Sequence, residues 1–124
     1  MTAANTKTIA QAIAEGAGVP AISVSDEPTL TDHVDILFLG GAPYANIMAP
    51  ELRAYAEKLD ATKVGRVILF TTSNWSRRTV YALKKIFKEK GIPVDGDYFY
   101  AHMLHINGGV EAAREFGRKK LIAL

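Results

Sequence analysis

Two short polar stretches hold the residue types from which a small-molecule site is built: GGAPYANIM, from Gly40 to Met48, and TTSNWS, from Thr71 to Ser76. In the first, Gly40, Gly41 and Ala42 would let a planar ligand approach the backbone, and Tyr44 or Trp75 could stack on its face. A flat heteroaromatic group suits that composition. The competing reading is structural: the glycines end a strand, Tyr44 packs on a neighbouring helix and Trp75 is a staple beneath the next one. Composition alone favours the structural reading. A third candidate is the start of the first helix, where Asn5, Thr6 and free backbone amides could hold a phosphate, because a helix amino terminus offers unpaired N–H groups and a favourable dipole.

Other arrangements fall away. His102 and His105 would share a face on a helix, but no third ligand is near and their segment reads as strand or loop, so no metal is expected. Asp95 and Asp97 flank Gly96 as a turn would. No G-x-S-x-G surrounds Ser73 or Ser76, which removes the hydrolase elbow. The chain has no cysteine, which excludes disulfides, thiolate catalysis and cysteine-ligated metals.

The elements that must position these stretches alternate. MTAANTKTIAQAIAEG starts a helix at once, with Asn5 or Thr6 as its cap and Ile9, Ala10, Ile13 and Ala14 at helical spacing. Gly16 and Gly18 punctuate, and Val19 to Val24 reads as a short strand ended by SDEP. VDILFLGG is a continuous apolar run, as expected of a strand covered on both faces. ELRAYAEKLDA follows as a helix with Pro50 at its first turn. RVILF is a second buried strand, and RRTVYALKKIFKEKG a basic amphipathic helix closed by Gly91. IPVDGDYFYAHM carries a weaker strand signal broken at Asp95 to Asp97, and GVEAAREFGRKKLIA is the terminal helix. Such alternation implies a parallel sheet between helices, with ligands at the carboxyl ends of its strands.

With 124 residues, 48% hydrophobic and 23% charged, the chain has the size and composition of one globular domain spanning 1–124. Its longest apolar runs, Ile36 to Leu39 and Val67 to Phe70, are far short of the roughly 20 residues of a membrane span. No secretory-type leader pattern opens the sequence, so a cytoplasmic location is the expectation. The net charge is only +2, and the basic stretches Arg77 to Lys90 and Arg114 to Lys120 read as solvated helix faces. Neither nucleic acid nor membrane is expected as a partner.

NTKTIAQAIAEG resembles the first phosphate-loop helix of the flavodoxin-like flavoproteins, in which a Ser/Thr-x-Thr-Gly-Asn-Thr loop wraps the phosphate of flavin mononucleotide (FMN). ILFLGGAPYANIMAPELRAYAEKL is similar to that family's third strand, flavin-contacting loop and following helix, and VILFTTSNW and GGVEAAREFGRKKL continue the likeness over nearly the whole chain. The resemblance implies an α/β, flavodoxin-like three-layer sandwich with a mainly parallel sheet of about four strands. It implies FMN bound by Asn5 and Thr6 at the phosphate, by Pro43, Tyr44, Ala45 and Asn46 beside the ring, and by Thr72, Ser73, Asn74 and Trp75 on its other side. The implied function is electron transfer or quinone-type reduction with a redox partner. No catalytic side chain is assigned, because in such proteins the cofactor carries the electrons.

The sequence departs from that family at its front. The family's first, central strand is missing, and Met1, Ala3 and Ala4 stand where the loop has Ser/Thr, Thr and Gly. Flavin binding is therefore expected to be weakened or lost. Exposed strand edges are expected to be closed by homo-oligomerisation. The alternative function is a non-catalytic scaffold acting through self-association or partner binding. Receiver domains of the response-regulator type share the strand order but need acidic residues where Gly40 and Gly41 stand, and that reading fails on chemistry.

Overall fold

The computed structural model describes residues 3–44, 47–73, 77–102 and 106–122. Three parallel strands form the sheet: β1 (Val34–Gly41), β4 (Val64–Ser73) and β5 (Val94–His102), in the order β1-β4-β5. Between β1 and α2, the two-residue strands β2 (Pro43–Tyr44) and β3 (Ile47–Met48) pair antiparallel. Helices α1 (Ala3–Ala17), α2 (Pro50–Lys58), α3 (Arg78–Lys90) and α4 (Ile106–Ile122) complete the chain. Among the described residues no helix is long and apolar enough to cross a membrane.

Alternation along each strand divides the interior in two. Leu39, Val67 and Leu69 point to the layer of α2 and α3, where they meet Leu52, Tyr55, Val80, Leu83 and Phe87. Phe38, Phe70, Phe99 and Ala101 point the other way, onto Ile9, Ala12 and Ile13 of α1 and Ala113 and Phe116 of α4. Both sides of β4 are thus dry, which is why it reads as a continuous apolar run. Pro50 stands in the first turn of α2 as expected. Gly91 closes α3 at φ 73°, with its N–H on the Lys88 carbonyl and that of Ile92 on the Phe87 carbonyl. Gly18 closes α1 in the same way. The difference lies one residue on: Ile92 is buried against the core, whereas Val19 is 48% exposed.

Helices α1 and α4 run side by side at unusually close range. A methyl group on Gly16 would lie 1.8 Å from the Arg114 carbonyl oxygen, and one on Gly117 2.2 Å from that of Ile13. The α4 residues at this contact, Gly109, Ala113 and Gly117, recur every fourth position and make a flat stripe on one helix face. Arg114 adds a tie across the pair to Glu15, at 3.1 Å.

Several expectations are corrected. Helix α1 begins at Ala3, so Asn5 and Thr6 lie within its first turn and do not cap it. Val19 to Val24 forms no strand. Pro20 removes a ladder donor, and strand propensity expresses fit to a pleated, paired surface that these residues lack. Among the described residues the sheet accordingly has three strands and not about four. The chain instead crosses from the α1/α4 layer to the opposite face, where Val24 and Leu30 pack against the core. There Tyr55 has its hydroxyl pushed above the ordinary value, first by burial and then by the charge of Glu27. Finally, β5 is continuous through Asp95–Asp97, with its register against β4 shifted there.

The α1–α4 contact yields a paired expectation. Gly117→Ala gains about 1 kcal/mol of helix propensity but forces the helices apart, and the net result should be a loss of roughly 1–3 kcal/mol. Gly108→Ala, where a methyl group would meet nothing within 4 Å, should be neutral or stabilising. Urea midpoints of the two variants check the opposite signs.

Candidate functional site

Parts of the three sequence-predicted segments meet at the carboxyl ends of the strands: the start of α1, the end of β1 with its hairpin, and the end of β4. Their floor is made of threonines on β4. Thr71 and Thr72 are both fully buried, at positions where the strand passes from apolar to polar. The Thr71 hydroxyl donates to the Gly41 carbonyl at 2.8 Å and locks the ends of β1 and β4 together. The Thr72 and Thr6 hydroxyl oxygens are 3.0 Å apart. This single contact brings the amino end of α1 to the end of β4, and so joins the predicted phosphate side to one of the predicted ring sides.

The space beside the glycines at the end of β1 is taken by the protein itself. A methyl group on Gly40 would lie 1.9 Å from the Phe70 carbonyl oxygen and 2.7 Å from its ring, and one on Gly41 would lie 3.1 Å from Leu52. Both are small because the protein itself fills the space beside them, which is the structural reading of these residues. Pro43 and Tyr44 form β2, and their backbone places them beyond β1. Ser73 ends β4 opposite His102 of β5. Ala45, Asn46, Asn74 and Trp75 lie outside the described residues, as does the side chain of Asn5.

One cluster beside this site was not singled out from the sequence. Tyr98, Tyr100 and His102 alternate along β5 and therefore share a face. The Arg77 guanidinium carbon lies 3.7 Å from the centre of the Tyr100 ring, and Tyr100 meets His102 edge to face at 6.5 Å. The period-two spacing of these three rings was visible, but the arginine that covers them is supplied by another element. The site as a whole offers hydroxyls, helix amides and a held cation, which suit binding of a polar or anionic group.

No family profile matches the sequence, and no curated protein does. Among solved structures, the chain is similar to the metal-soaked Flv1 flavodiiron core from Synechocystis sp. PCC6803, at a TM-score of 0.73 and 17% identity. The match covers 99% of this chain and 34% of that one, so this chain spans about a third of its length. The likeness shows the fold: a small parallel α/β sandwich consistent with the flavodoxin-like architecture.

The threonine pair predicts an asymmetry. Thr6 is half-buried, so Thr72→Val leaves a hydroxyl that can turn to water, whereas Thr6→Val strands the fully buried Thr72 hydroxyl at a cost of about 1–3 kcal/mol. Denaturation of both single variants and the double should show Thr6→Val as the costlier change and a coupling of roughly 0.5–1.5 kcal/mol.

Proposed function

We propose that this chain is a flavodoxin-like protein whose FMN site, at the carboxyl ends of β1 and β4, has reduced affinity, and that its activity with flavin bound is electron transfer or quinone-type reduction. The observation that carries the reading is the Thr6–Thr72 contact at 3.0 Å, since it sets a helix amino terminus beside the end of a central parallel strand. That is where doubly wound sheets take up phosphorylated ligands.

The residues fit the phosphate end of such a cofactor in type and place. The free amides of the first turn of α1 and the Thr6 hydroxyl would hold the phosphate, and Thr72 holds Thr6 in position. Pro43, Tyr44, Ala45 and Asn46 on one side, and Ser73, Asn74 and Trp75 on the other, would flank the ring by their places in the sequence. The flavin would supply the electron-accepting chemistry, while the chain binds, orients and shields it. Reduced affinity follows from Met1 and Ala3, which bring no hydroxyl where the family's loop has one, from Ala4 in place of the loop's Gly, and from the Thr6 hydroxyl, which already has a partner. A redox partner would meet this end of the sheet. The flavodiiron neighbour, whose name joins flavin to iron, supports the reading only through its fold.

A second reading, a non-catalytic scaffold that self-associates, is favoured by β1. Among the described residues no strand pairs with its outer edge, and Ile36, Leu37 and Phe38 are only half-buried. A long apolar edge of that kind is a template for pairing with a second copy.

Titration of FMN with the purified chain, followed by quenching of flavin fluorescence, should give saturable binding in the micromolar range or weaker; no quenching at high micromolar protein sinks the flavoprotein reading and leaves the scaffold. Independently, light scattering should report a homo-oligomer, and a monodisperse monomer removes the self-association reading whatever the flavin result.

A further inference from the structure

The chain has two basic helical segments, and among the described residues their cations are balanced differently. On α4, Arg114 pairs with Glu111 and with Glu15, Arg118 with Glu115, and Lys120 with Asp95 and Asp97 at 2.6 and 2.8 Å. Between Arg77 and Lys90, by contrast, six cations accompany a single carboxylate, Glu89, in a chain whose net charge is +2. Among the described residues Lys84, Lys85 and Lys88 have no acidic partner.

Helical spacing sorts these residues into two stripes. Arg78, Tyr81 and Lys85 form an outward stripe, on which Tyr81 is 61% exposed. Arg77, Lys84 and Lys88 run along the side next to β5. There the Arg77 guanidinium carbon is 6.0 Å from the Tyr98 ring centre as well as 3.7 Å from that of Tyr100, and Lys84 Nζ is 5.3 Å from that of Tyr98. Lys84 and Lys88 also line a shallow groove of about 320 Å³ with Ile92, Val94, Asp95 and Gly96. The acidic groups at this place do not oppose an anion, because Asp95 is paired with Lys120 and Arg66, and Asp97 with Lys120.

Strand β5 is the last of the sheet, and no strand pairs with its outer edge among the described residues. That edge presents backbone donors and acceptors to an incoming strand. The cations from Arg77 to Lys88 are spread over about 16 Å of helix axis. Alternate side chains of an extended chain recur about every 7 Å, so a five- or six-residue segment with acids at alternate positions brings a carboxylate within reach of each cation.

We infer that the β5 edge and the Arg77–Lys84–Lys88 stripe form a docking surface for an acidic, extended segment of a partner protein, which adds as a strand beside β5. The strand edge favours a polypeptide over nucleic acid, since nucleic acid has no backbone to pair with it. Single-stranded nucleic acid would also need open aromatic faces for its bases, and here Arg77 and Lys84 cover those of Tyr98 and Tyr100.

The test titrates a fluorescein-labelled peptide alternating Glu and Thr with the full chain and reads anisotropy, alongside a Lys/Thr peptide and an oligothymidine. The Glu/Thr peptide should bind and the Lys/Thr peptide should not. Added salt should weaken binding, Lys84→Glu/Lys88→Glu should weaken it by at least about ten-fold, and the milder Lys88→Gln should reduce it in the same direction. Both positions are at the surface, and circular dichroism confirms that the variants fold. Amide exchange should slow along Val94–His102 in the complex. The inference is overturned if the acidic peptide fails to bind at low salt, if oligothymidine binds more tightly, or if the protected amides are confined to α3.

Discussion

The close approach of α1 and α4 is the constraint on which the rest of this structure depends. Helix α1 takes its position from contacts made along its own side. Gly16 and Gly117 let the two backbones touch where any side chain would collide with a carbonyl. Ile9 and Ile13 then reach Phe70 and Ala101 across the seam and cover one face of the sheet. Without this contact the dry interior on that side of β4 would open to water along Phe38, Phe70 and Phe99.

That anchoring determines what the amino end of α1 can do. Because the helix is fixed along its length by α4, its first turn is set against the end of β4, and the Thr6–Thr72 contact reports that placement. The Thr71 bond to the Gly41 carbonyl fixes the neighbouring strand end. A polar floor has thus been assembled by packing elsewhere in the molecule, with buried hydroxyls satisfied by one another and by a strand carbonyl. Buried polar groups left unpaired would be costly, so the same bonds serve stability whether or not a ligand is present.

The legible parts of this fold were those whose signal is local. VDILFLGG and RVILF are strands because both of their faces are buried, and Pro50 and Gly91 mark helix ends through backbone geometry that needs no partner. The misread parts were those whose signal belongs to two elements at once. Val19, Ile22 and Val24 have strand-forming side chains but no strand to pair with, and Ile22 remains 55% exposed. Asp95, Gly96 and Asp97 are poor strand formers, yet β5 runs through them because Lys120, on α4, balances their charge and is itself held above its ordinary pKa by both carboxylates. The candidate site divides in the same way: the segments were found by their composition, whereas the joining of Thr6 to Thr72 required the α1–α4 contact.

Charge pairing completes the division of labour between the two basic helices. On α4 the acids sit three residues before the arginines, so Glu111 reaches Arg114 and Glu115 reaches Arg118 within the helix. These exposed pairs add little stability, but they balance both arginines of α4, and Asp95 and Asp97 of β5 balance Lys120. Helix α3 has only Glu89 for the same purpose, one residue from its end. Among the described residues Lys84, Lys85 and Lys88 of α3 have no acidic partner, and Arg77 and Lys84 lie over tyrosine rings of β5, 3.7 and 5.3 Å from the ring centres. A charge that rests on a ring gives up less conformational freedom when a partner arrives than one on a mobile side chain, so the β5 edge, which no strand pairs among the described residues, has cations beside it that are partly placed in advance.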